Sequence, residues 1–193
     1  NFVKEILPFQ NQTYSNDDVE VFFGPDVLFD TLYLHYEKVK KDYLIGTSLT
    51  PIHHAFQVTI KDTTQKSDKV AAYEIKWAGN YSHLGGQWTE KGFTFSSKYF
   101  GRFTLRKDSI PPSISLVSKT TTYIAFKISD NLSGIKSFDA YLNGQWVLMQ
   151  YEHKKATIWI DEEYWSAQKL KGDFKLVLKD NMNNIKEYNT KFL

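Results

Sequence analysis

The chain has 193 residues, 24 Lys+Arg against 22 Asp+Glu, a formal net charge of +2 and no cysteine. These figures exclude a disulfide framework, a thiolate zinc site, a cysteine nucleophile and a nucleic-acid binder driven by clustered positive charge. Apolar residues at 41% and charged residues at 24% make a globular composition, in which aromatics at 16% are the unusual class.

At roughly 100–200 residues per domain, the length allows one large or two small domains. No window approaches 18 consecutive apolar residues, so no transmembrane segment is expected. The opening Asn1-Phe2-Val3-Lys4-Glu5 has neither a Met nor a basic stretch followed by an apolar one. The chain is therefore expected to be cut from a longer or processed protein.

Along the chain the dominant period is two. Val19/Val21/Phe23, Leu32/Leu34/Tyr36, Phe56/Val58/Ile60, Ala71/Tyr73/Ile75/Trp77 and Phe103/Leu105 alternate with polar or small residues. The pattern resumes in Ile124/Phe126/Ile128, Phe138/Ala140/Leu142, Ala156/Ile158/Ile160 and Phe174/Leu176/Leu178. Such alternation sends one set of side chains to a core and the other to water, as half-buried antiparallel strands require. Turn signals separate the runs, and Asn143-Gly144 before Gln145–Tyr151 is the clearest hairpin among them. Asp161–Leu170 is the one candidate for a short helix, with Asp161 as its N-cap and Gly172 just past its end.

Asp108-Ser109-Ile110-Pro111-Pro112 reads as a boundary, since two prolines cannot sit inside a central strand. The expected fold is all-β, with two tandem β-sandwiches over residues 1–109 and 110–193 and at most one short helix. A faint repeat agrees with this division. Gly101-Arg102-Phe103-Thr104-Leu105 and Gly172-Asp173-Phe174-Lys175-Leu176 are each followed within four residues by an aspartate, Asp108 or Asp180. A second match, Leu84-x-Gly-Gln-Trp88 with Leu142-x-Gly-Gln-Trp146, stands at a different distance from those strands and reads as chance.

Candidate chemistry is sparse. The histidines His35, His53, His54, His83 and His153 make no H-x-H, H-E-x-x-H or H-x-x-x-D pattern. Adjacent His53 and His54, read as a strand entrance, should point to opposite faces. No G-x-S-x-G elbow or phosphate loop occurs, so no catalytic residue is assigned. The acidic turns Asp130-Asn131-Leu132-Ser133-Gly134 and Asp180-Asn181-Met182-Asn183-Asn184 have two readings. They are hydrogen-bonded turns, or oxygen clusters that make Asp130 and Asp180 candidate Ca²⁺ ligands. The five tryptophans divide similarly between core and an exposed sugar-stacking platform, core being the commoner fate. Sequons at Asn11, Asn80 and Asn131 matter only in a eukaryotic secretory setting.

Asp130-Asn131-Leu132-Ser133-Gly134-Ile135, then Asn143-Gly144-Gln145-Trp146, then Asp180-Asn181-Met182-Asn183-Asn184, resembles the bacterial Ig-like domain pattern. With Phe23-Gly24-Pro25-Asp26, Thr50-Pro51-Ile52-His53 and Gly101-Arg102-Phe103-Thr104-Leu105 before it, the order resembles the C-terminal extension of lysostaphin/LytM-type zinc metallopeptidases of Gram-negative bacteria. The resemblance implies two Ig-like sandwiches in a non-catalytic accessory region of an extracytoplasmic protein. Asp130, Asn131, Gly134, Asp180, Asn181 and Asn184 would carry over as turn-forming residues only. No cofactor is expected in this chain apart from the calcium alternative, and zinc is expected only in a catalytic domain outside it. Implied partners are the rest of the parent polypeptide and an envelope protein, peptidoglycan or glycan, with no nucleic acid. The competing expectations are a stand-alone carbohydrate- or ligand-binding sandwich, and an enzyme whose distant carboxylates or histidines converge only on folding.

Overall fold

The computed structural model describes residues 2–160 and 169–193. The chain divides into two compact units, Asn1–Asp108 and Ser109–Leu193. Both are built almost wholly of antiparallel strands. Most of the helix expected over Asp161–Leu170, and Trp165 with it, lies outside the described residues. No helix among the described residues is long and apolar enough to cross a membrane.

The first unit contains β1 (Lys4–Ile6), β2 (Gln12–Ser15), β3 (Val19–Phe23), β4 (Leu32–Leu34), β5 (Tyr36–Val39) and β6 (Asp42–Ile45). It continues with β7 (Phe56–Ile60), β8 (Val70–Ile75), β9 (Tyr81–Gly85), β10 (Gln87–Thr89), β11 (Gly92–Ser97) and β12 (Gly101–Lys107). One sheet has the order β10-β11-β7-β3-β2, the other β5-β6-β12-β8-β9, and β1 pairs with β4 beside them. Alternation explains the layering. In β3, Val19, Val21 and Phe23 are buried, while Glu20 and Phe22 between them are not. The inward sets interleave in one core, where Phe56 meets Phe23 at 5.6 Å, Phe100 at 4.8 Å and Phe103 at 6.4 Å between ring centroids. Aromatic pairs in that range add to the burial of the rings themselves.

Strand β8 departs from the sequence pattern. Its Val70 and Ala72 join the core, so the other set, Ala71 and Tyr73, lies on the opposite face. That face is covered too, since Tyr73 is buried against Tyr81 and His83. Alternation alone cannot choose the inward set of a strand buried on both faces. Trp77, taken as the next member of the run, lies past the strand end in a short turn and is 95% exposed.

The second unit contains β13 (Ser113–Lys119), β14 (Ile124–Ser129), β15 (Ile135–Leu142), β16 (Gln145–Val147), β17 (Gln150–Glu152), β18 (Thr157–Trp159), β19 (Gly172–Asp180) and β20 (Ile185–Phe192). Two four-stranded sheets, β13-β14-β18-β17 and β16-β15-β19-β20, share a core in which Phe126 stacks on Phe174 at 6.0 Å. Asn143 and Gly144 both have positive φ, 51° and 80°, and close β15 onto β16 with Leu142 opposite Gln145. This is the primed turn that suits the strand twist.

The two five-residue matches both sit on interior strands of their sheets. Phe103 and Leu105 are buried on β12, which is flanked by β6 and β8. Phe174 and Leu176 are buried on β19, flanked by β15 and β20. The L-x-G-Q-W matches are not equivalent. Gly144 turns a hairpin within one sheet, whereas Gly85-Gly86 passes the chain from β9 in one sheet to β10 in the other.

Candidate functional site

Three places hold the side chains singled out by sequence. The first is a pair of acidic loops, β14–β15 and β19–β20, brought together because β15 pairs with β19 and sets Ile135 opposite Asp180. The Asp130 and Asp180 carboxylates offer oxygens within 4.8 Å of each other. Asp130 Oδ2 accepts from the backbone N–H of Leu132 at 3.0 Å and of Gly134 at 2.8 Å. Asp180 is 0% exposed and accepts at both oxygens, from the Asn184 backbone N–H and the Asn184 Nδ2, each at 2.8 Å. Asn181 Nδ2 then donates to the carbonyls of Ser133 at 2.8 Å and Gly134 at 3.2 Å, locking one loop to the other. Three of the four carboxylate oxygens thus serve N–H donors that would otherwise be orphaned in the turns. Oδ1 of Asp130 is buried without a donor.

The second place is the loop end of the first unit. His53 and His54 lie in an irregular segment before β7 rather than in a strand, and their rings meet at 4.1 Å. They do not point apart, because the alternation rule holds only for extended strand backbone. The His53 N–H donates to the Val27 carbonyl at 2.8 Å, and His54 Nδ1 lies 2.9 Å from the Asp26 carbonyl oxygen. Phe29, 59% exposed, lies 5.1 Å from His53. Phe9 is 76% exposed at φ 62°, with its N–H donating to the Pro25 carbonyl at 3.0 Å. A bulky residue at positive φ is costly by about 1–3 kcal/mol, and no burial of the ring compensates it here.

A polar cluster that joins the β2–β3 turn to β5 has a structural part. The Tyr36 hydroxyl donates to Asp18 Oδ2 at 3.3 Å, and Lys38 Nζ donates to Asp18 Oδ1. Burial, then the Asp18 carboxylate, pushes the Tyr36 phenol far above its usual 10.0. The fold thus favours the neutral phenol. Its contribution is complete below the unfolded value and is lost as the pH climbs beyond it toward the folded value. Lys38, raised chiefly by its hydrogen bond to Asp18, adds a loss of the same sign. Urea unfolding followed between about pH 9 and pH 12 is expected to show falling stability, with a shallower slope in Tyr36→Phe. Equal slopes would show that Tyr36 does not couple to folding.

The third place is the outer face of the β16-β15-β19-β20 sheet. Tyr141, Lys175 and Asn189 stand in one row across β15, β19 and β20, and Trp146 stands opposite Tyr141 on β16. Trp146 is 56% exposed, while its Nε1–H reaches Asp139 Oδ1 at 3.4 Å. An open groove of about 790 Å³ lies over this face, lined among others by Tyr141, Gly144, Asp173, Lys175, Val177 and Asn189. Sequence reasoning named Trp146 but not its neighbours, since only the strand register brings residues 141, 146, 175 and 189 together. Trp88, by contrast, packs against the core of the first unit and donates to the Ser67 carbonyl at 2.9 Å.

No curated protein matches the chain significantly. The family model of the Zu5-like domain matches residues 6–108, which is more than half of the 193 residues and runs from β1 to the end of the first unit. The chain therefore belongs to the Zu5-like domain family.

Proposed function

We propose that this chain is a non-catalytic interaction region of an extracytoplasmic protein, appended to a zinc metallopeptidase that acts on cell-wall or envelope peptides. The observation that carries the interaction reading is the loop end of the first unit. There Phe9 and Phe29 are held in water by loops whose backbones are hydrogen-bonded in place. Large apolar side chains kept out of an otherwise filled core mark a contact surface. The peptidase connection is supported by the motif order of the sequence, in which Asp130, Asn131, Gly134, Asp180, Asn181 and Asn184 form the turns of an Ig-like second sandwich. On this reading zinc and the catalytic residues belong to another part of the parent polypeptide, and the partner of the present chain is the envelope polymer.

The test is sedimentation with isolated sacculi of a Gram-negative bacterium. The full chain is expected to co-sediment without releasing peptide fragments. The double variant Phe9→Ser/Phe29→Ser is expected to keep its melting temperature and to lose at least about tenfold in affinity, or roughly 1.4 kcal/mol. Retention unchanged by the double substitution would remove the observation on which the reading rests. Peptide release by purified chain would overturn its non-catalytic part.

A further inference from the structure

We propose that the outer face of the β16-β15-β19-β20 sheet is a binding site for a neutral oligosaccharide, lying along the row Trp146, Tyr141, Lys175 and Asn189. The inference deepens the interaction reading, on which it rests, by naming the ligand chemistry of a second surface. Antiparallel register fixes the row: Trp146 faces Tyr141, Tyr141 faces Lys175, and Lys175 faces Asn189. Three inter-strand steps of about 4.8 Å make a platform roughly 14 Å long. On the other face of the same strands Ala140, Phe174 and Leu176 are buried in the core, so the platform stands on rigid elements.

The chemistry along the row narrows the ligand. At its aromatic end the Trp146 indole is half in water and turns its Nε1–H toward Asp139 Oδ1, 3.4 Å away. A pyranose ring offers such surfaces a flat patch of C–H groups, which gains by leaving water against an aromatic ring. At the other end, the Asn189 amide supplies donors and an acceptor for hydroxyl groups. Two lysines of the groove face already stand beside carboxylates. Lys175 pairs with Glu187 at 2.7 Å, and Lys191 lies 4.0 Å from Asp173. An anionic ligand would have to displace those carboxylates from their ammonium groups, whereas a neutral polyol can hydrogen-bond to the pairs as they stand. With the Asp139 carboxylate beside Trp146 as well, this face favours a neutral ligand over an anionic one. Tyr141, Lys175 and Asn189 line the groove of about 790 Å³, a volume within the range typical of small-molecule sites, and Trp146 stands next to it, opposite Tyr141.

The experiment is a ¹⁵N–¹H NMR titration of the full chain with two neutral probes, the tetramer of β-1,4-linked N-acetylglucosamine and cellotetraose. With at least one probe, saturable shifts are expected at the Trp146 indole N–H and the backbones of Tyr141, Lys175 and Asn189, with Kd on the order of 1 mM. Trp146→Ala and Asn189→Ala, both at exposed positions, are expected to weaken binding about tenfold and about threefold while leaving the remaining spectrum folded. Absence of saturable shifts with either probe up to about 10 mM overturns the proposal. So do shifts centred elsewhere, or binding unchanged in Trp146→Ala. Sugar binding in the groove together with unaltered sacculus retention in Phe9→Ser/Phe29→Ser would uphold this site while defeating the first-unit reading. The reverse pattern would defeat only this site.

Discussion

Replacing Asp180 with alanine is expected to lower the stability of the second unit by about 2–4 kcal/mol. For a unit of this size the corresponding fall in melting temperature is roughly 10–25 °C. The carboxylate is wholly buried, and both of its oxygens are committed to Asn184, which is itself buried. Truncation removes the acceptors of two hydrogen bonds, one from the Asn184 backbone N–H and one from its Nδ2, where water has little access, and each buried bond lost in this way costs about 1–3 kcal/mol. Asp130→Ala should cost less, about 1–2 kcal/mol, because its loop is half-buried and the Leu132 and Gly134 N–H groups can recover water. Calorimetry of the full chain provides the measurement. A fall of less than about 2 °C in Asp180→Ala would show that the turn does not depend on the carboxylate. Calcium separates the two readings of these loops. If hydrogen bonds alone organise them, millimolar Ca²⁺ leaves the wild-type transition unmoved. A rise that disappears in Asp180→Ala would instead mark a native-state cation site.

These loops show where sequence stops being informative. That Asp130 and Asp180 end strands and begin turns is legible, because Asx residues bond their own backbone within a few positions. That the two turns lock together through Asn181 depends on β15 pairing with β19, which brings together residues as far apart in the chain as Ile135 and Asp180. The same division runs through the whole fold. Asn143-Gly144 could be read as a hairpin because both residues tolerate positive φ, and β3, β14 and β19 could be read because one face of each is wet. Strand β8 defeated the pattern because Tyr73 is covered as well as Ala72, and its one charged residue, Glu74, is itself buried and so marks no solvent side. His53 and His54 escape it because they precede the strand, in backbone that does not alternate. Trp77 and Trp146 carry the hydrophobicity of core residues yet lie largely in water, and only their placement distinguishes them from Trp88. All-β architecture was therefore readable, since it is written in local periodicity. The aromatic row on the second unit was not, since it is written in register.

Register also sets the other large expected effect, at Gly92. Gly92→Ala should destabilise the first unit by about 3–5 kcal/mol, combining overpacking with backbone strain. Gly92 opens β11 at φ 140°, a conformation that residues with a Cβ rarely adopt. A Cβ built there would lie 2.2 Å from the Ile60 carbonyl oxygen, 2.9 Å from its carbon and 3.0 Å from the Lys61 Cα. All three obstacles are backbone, so no side-chain rotation can relieve them. The carbonyl belongs to the end of β7, which is held between β3 and β11 and cannot retreat without breaking a ladder. Moving β11 away is no cheaper, since its Phe93 and Phe95 are buried in the core and Trp88 rests against Phe93 at 5.1 Å. Gly24→Ala is the matched control. Its φ is not in the left-handed range, and an added Cβ would meet only Val27 Cγ2 at 3.9 Å. That substitution should change stability by no more than about 0.5 kcal/mol. Urea unfolding followed by tryptophan fluorescence compares the two variants, Trp88 being the indole packed against the core of the first unit. Similar midpoints for the two would mean that β11 tolerates displacement from β7, and that the core around Phe93 is looser than its burial implies.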